Sequence, residues 1–180
     1  MKPIVTVPNA ILITPARPVT SFDKRLSRLI SNMKQTLIAT KNPRGVGLAA
    51  PQIGESIQVF ITRPTSKAAI QIFINPSIRA ATSDNKKPDE EDKKLEGCLS
   101  IPKIWGKVKR ATSLTLTYQD ETGASHEQEF HGFLATIIQH ETDHLNGILF
   151  TRRVLEQKGK LYQTTKDDTG KEVLEEVNLK

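Results

Sequence analysis

The sequence predicts an α+β fold in which mostly antiparallel β-strands pack around a central helix carrying an H-E-x-x-H stretch, with an amphipathic helix near the N-terminus. Three observations point to it. A helical apolar stripe runs through residues 20–40, short apolar or alternating segments recur between 57 and 131, and a second helical stretch follows Gly132. At 180 residues the chain has the size of one domain, and a single domain is expected over 1–180.

Taken in order, Leu26, Leu29, Ile30, Met33, Leu37 and Ile38 fall on one helical stripe, and Thr20 with Asp23 forms an expected capping box. Asn42-Pro43-Arg44-Gly45 breaks that helix. Residues 57–62 and 69–75 are β-rich, with Asn75-Pro76 expected to end the second strand. Residues 82–94 contain no large apolar side chain and predict an exposed loop. Leu114, Leu116 and Tyr118 alternate into a turn at 120–123, and the returning segment completes a hairpin. Phe133, Leu134, Ile137, Ile138 and Leu145 mark the second helix as a covered one, closed by Gly147. Residues 156–180 read as a polar C-terminal extension.

No apolar run approaches the ~20 residues that cross a membrane, and the first residues lack the pattern of a signal peptide. The single cysteine, Cys98, rules out an intramolecular disulfide, so a reducing, cytoplasmic setting is expected. Residues 1–50 carry eight Lys or Arg against one acid, Asp23. No aromatic stacking pattern or nucleic-acid motif accompanies that charge, which reads first as a solvated helix face.

The chemistry lies in three segments. In Q-H-E-T-D-H, His140 and His144 sit one helical turn apart and can share one metal ion, with Glu141 placed beside a water on it. A third histidine ten residues after His140 would extend the motif, but Phe150 holds that place. Glu156, Asp167 and Asp168 lie in the polar tail without a stripe to bring them back. Cys98, in what reads as a Gly-Cys turn 42 residues before His140, remains. A thiolate is a strong ligand for first-row divalent ions, and a Cys-His-His set leaves a fourth position open, as catalytic sites do. The third segment, Gly45 to Gly54, combines small residues that admit close backbone approach with Gln52, a side-chain amide donor.

Together these segments resemble the peptide deformylases, which carry G-x-G-x-A-A-x-Q, E-G-C-x-S and H-E-x-x-H in that order. Here they stand as Gly45–Gln52, Glu96–Ser100 and His140–His144, and the resemblance covers roughly residues 5–155. It implies that Cys98, His140 and His144 bind one divalent metal, usually Fe(II), with Zn, Ni or Co as replacements. It implies further that Glu141 is the general base and acid, and that the Gln52 amide and the Leu99 N–H stabilise the oxyanion. The substrates implied are N-formylmethionyl peptides and nascent chains, with formate as a product and a transient ribosome contact as a possible accompaniment. Phe133, Thr136 and Ile137 share the helix face of His140 and, with Val46, are expected to wall the methionine pocket. Gly47 and Gly97 are expected to line its mouth. The competing expectations are another H-E-x-x-H metallopeptidase and a catalytically silent protein that binds nascent chains.

Overall fold

The computed structural model describes residues 1–82 and 95–178. The loop expected at 82–94 lies, Thr82 apart, outside the described residues. Three α-helices are present among them: α1 (Lys24–Ala39), α2 (Gly132–Leu145) and α3 (Phe150–Glu156). The strands are β1 (Gly47–Ala49), β2 (Val59–Thr62), β3 (Gln71–Thr82), β4 (Glu96–Cys98), β5 (Ile101–Gly106), β6 (Ser113–Gln119), β7 (Ser125–His131), β8 (Leu161–Lys166) and β9 (Glu172–Glu176). They form two antiparallel sheets, ordered β1-β2-β3-β6-β7 and β4-β5-β8-β9.

The run Val59-Phe60-Ile61-Thr62 is wholly buried because both faces of its sheet are covered. Val59 and Ile61 pack with Leu26, Leu29, Ile30, Met33 and Leu37 of α1. Phe60, pointing the other way, packs with Phe73, Phe130, and Ala135, Ile138 and Leu145 of α2. Each fully buried Leu, Ile or Phe contributes roughly 1.5–3 kcal/mol. A third cluster, Cys98, Ile101, Phe150, Val154 and Leu161, joins α3 to the second sheet. Helix α2 therefore lies between the sheets, its apolar face on the first and its histidines towards β4.

Several local expectations need correction. Helix α1 starts at Lys24, and its cap is Asp23, whose carboxylate accepts from the Arg25 and Leu26 N–H groups; Thr20 has no part in it. Ile38 is 52% exposed, since it falls a full 100° round the helix from Leu37 and off the buried stripe. Strand β3 continues through Asn75-Pro76 to Thr82. The β3–β6 register slips between Ile74 and Ser77, so the proline's missing N–H falls in a bulge. Asn75 sits there at φ +49°, and its side chain bonds Val19 N–H, Val19 C=O and Gln119.

Glu96-Gly97-Cys98 is a strand, and the turn comes one residue later at Leu99-Ser100. The polar extension contains β8 and β9, which complete the second sheet. Their sequences are polar because only one position, Leu161, is buried.

Candidate active site

Strand β4 and helix α2 bring the predicted metal ligands together. The donor atoms of Cys98, His140 and His144 all lie within 4.8 Å of one another. Cys98 Sγ is 3.1 Å from His144 Nε2, and the two imidazoles are 5.0 Å apart between centroids. Burial alone would raise the Cys98 thiol pKa, but the charge of His144 and hydrogen bonds with both histidines override it and hold the thiol well below its ordinary value. A buried, easily ionised thiol between two imidazoles is a soft, mixed sulfur and nitrogen donor set that fits a first-row divalent ion. Glu156 is instead paired with Arg152 and Arg153, and Asp167 is bonded within its own turn.

Glu141 is almost fully buried, and burial pushes its carboxyl up to about 7. Its Oε2 has no hydrogen-bond partner among the described residues. A Cβ added at Gly47 would lie 2.2 Å from Glu141 Oε1, so any larger residue there would displace the carboxylate. This close approach accounts for the second glycine of the Gly-Val-Gly run. The adjoining 3-10 turn, residues 50–53, buries Gln52. Gln52 Oε1 accepts from Ala49 N–H at 2.8 Å, which orients its Nε2 towards Cys98 Sγ at 3.5 Å and Ser100 Oγ at 3.3 Å.

A cavity of about 480 Å³ opens onto these groups. Val46, Gly47, Gly97, Leu99, Phe133, Thr136 and Ile137 all line it, as do Gln52, Cys98, His140 and Glu141. His144 lies behind Cys98 and is not part of the lining. Phe133, expected to be covered, is 39% exposed because it stands at the cavity rim.

The sequence reading missed the support beneath the ligands. Glu96 Oε2 accepts from His140 Nδ1 at 3.0 Å, and Arg110 donates to both Glu96 oxygens at 2.8 and 3.0 Å. Arg110 also donates to Asp143 at 2.6 Å, and Arg153 reaches the same carboxylate at 2.7 Å. A metal-ligating histidine commonly gives its second N–H to such a carboxylate, which fixes ring and tautomer. The signals were acidic residues inside two of the motifs, Glu96 and Asp143; nothing in the spacing pointed to Arg110.

Burial would raise the Glu96 pKa from its ordinary 4.5, but hydrogen bonds from His140 and Arg110 outweigh it and hold it at about 2. A depressed carboxylate pKa stabilises the fold fully above the unfolded value, and that stability is lost as pH falls through the folded one. Glu96→Gln should therefore be less stable than wild type in urea at pH 7, and the gap should close between pH 4.5 and 2.

The polypeptide deformylase family model matches residues 1–160. The chain belongs to that family. It is 40% identical over 151 residues to peptide deformylase 1 of Bacillus cereus, covering 84% of this chain and 90% of that one. It is 35% identical over 171 residues to the Chlorobium luteolum peptide deformylase, covering 92% and 85%. Among solved deformylases, that of Thermotoga maritima superposes with a TM-score of 0.74 at 35% identity, covering 85% of this chain and 97% of the other. A Met-Ala-Ser-bound deformylase from Acinetobacter baumannii gives 0.73 at 34%, with 85% and 98% covered. The α+β arrangement of antiparallel sheets and three helices is thus that of deformylase structures.

Proposed function

We propose that this chain is a metal-dependent hydrolase that removes the N-formyl group from the initiator methionine of nascent polypeptides and releases formate. The observation that carries the reading is the convergence of Cys98, His140 and His144, the first two of which line one cavity together with Glu141 and Gln52. Cys98, His140 and His144 would hold one divalent ion, Fe(II) in the native state, with Zn, Ni or Co able to replace it. Helix α2 is then the metal-binding helix at the centre of the fold. Such an ion supplies Lewis acidity, which makes hydroxide available as a nucleophile at neutral pH.

Glu141 then accepts the proton that water loses, which suits a carboxyl poised near neutrality. The Gln52 amide and the Leu99 N–H stabilise the oxyanion as the formyl carbon becomes tetrahedral. The carbon–nitrogen bond breaks as Glu141 returns its proton to the leaving amine, giving formate and a free N-terminus. Phe133, Thr136, Ile137 and Val46 receive the methionine side chain, and Gly47 and Gly97 leave the mouth open to a formyl group.

Strands β1 and β4 are each the edge of their sheet, and residues of both line the cavity. A substrate backbone can pair with such an edge as an added strand. The Acinetobacter relative, solved with Met-Ala-Ser bound, supports a peptide of that kind as the ligand. Among the described residues no helix is long and apolar enough to cross a membrane. The reading includes a cytoplasmic location, from the single cysteine, and a transient contact with the ribosome.

The test is formate release from formyl-Met-Ala-Ser, run beside release of free methionine from Met-Ala-Ser. Formate alone is expected; free methionine alone would make the chain a peptidase. Gln52→Leu should lower kcat by about 100-fold, because one oxyanion donor is worth about 2.7–4 kcal/mol, with a smaller change in KM. A pure KM effect would make Gln52 a positioning group for the substrate.

A further inference from the structure

Trp105 is the single tryptophan of the chain, and the reaction above gives it no role. It lies on β5 directly opposite Gly97 of β4 and lines the cavity. Its six-membered ring lies across that glycine: a Cβ at Gly97 would come within 2.6 Å of the ring. The indole N–H donates to Thr164 Oγ on β8 at 2.7 Å, so the C-terminal hairpin pins the ring from behind.

The three residues of β4 point their side-chain positions to different faces. Glu96 and Cys98 reach the histidines of α2, whereas the Gly97 position faces Trp105. An extended peptide alternates in the same way, with successive side chains on opposite faces of the sheet. If the first side chain enters the pocket beside α2, the second emerges on the Gly97 face, where there is no side chain on β4 to meet it and the indole is the adjacent apolar surface.

We propose that Trp105 is a specificity-determining residue that selects an apolar or aromatic side chain at the second position of the formylated peptide. The inference rests on the deformylase reading and on a peptide lying along β4.

The test uses metal-loaded protein and the peptides formyl-Met-Xaa-Ser, with Xaa as Gly, Asp, Leu or Phe. Wild type should favour Phe over Gly by about tenfold in kcat/KM, the size expected for one aromatic contact with its buried area. Trp105→Ala should reduce that ratio to about twofold or less. A second measurement needs no variant: with the zinc-loaded protein, Met-Phe-Ser should shift the emission of the lone tryptophan, and Met-Gly-Ser should not. An unchanged emission with both peptides, or a preference for Phe that survives in Trp105→Ala, overturns the inference. Formate released from every peptide at one rate also overturns it while the deformylase reading stands; formate from none is a failure of that reading instead.

Discussion

Glu141→Ala is expected to keep its metal and lose at least about 1000-fold in kcat, since in the proposed reaction one side chain serves as both base and acid, each such role typically worth 10²–10⁴-fold. The carboxylate is not in the candidate ligand group of Cys98, His140 and His144, and its Oε1 rests against Gly47. Removing it should leave folding intact or strengthen it, because burial already disfavours its charged form. Metal content, thermal midpoint and formate release measured on one preparation check all three points. Loss of the metal together with activity would make Glu141 a ligand.

Cys98→Ser should weaken metal binding by on the order of 100-fold or more. Outer groups that merely orient a ligand cost 10–100-fold in metal affinity when mutated, so a direct ligand should cost at least the upper end of that range. Serine keeps the size of the side chain but replaces a readily ionised thiol with a hydroxyl that is a poor ligand at neutral pH. The fold should survive, because Cys98 contributes only part of a cluster that also includes Ile101, Phe150, Val154 and Leu161. Competition with a coloured chelator gives the affinity. Unchanged affinity would move the third ligand elsewhere and remove the basis for an open catalytic position.

What could be read from the sequence was what has a period or a motif. The stripe from Leu26 to Leu37, the alternation of Leu114 and Leu116 and the covered face of α2 all follow from burial on one side of an element. The candidate ligands were legible because histidines four apart on a helix must share a face, and because Cys98 stood alone. Strand β8 was not legible: it buries Leu161 and otherwise shows polar residues, so its stability comes from pairing with β5 and β9. Arg110 escaped for a different reason. Its two carboxylate partners come from β4 and α2, elements that meet only in the folded chain. The Trp105 ring over Gly97 likewise depends on the β4–β5 register, which no local pattern reports.

Deformylation by this chain should depend on one ion held by Cys98, His140 and His144. Stripping the protein of metal and titrating Fe(II) back without oxygen, while following formate release from formyl-Met-Ala-Ser, measures that dependence. Activity should be negligible at the start, rise linearly and break at one ion per chain. Formate release that is indifferent to added metal, or that breaks only at two ions per chain, would rule out a single ion at this site.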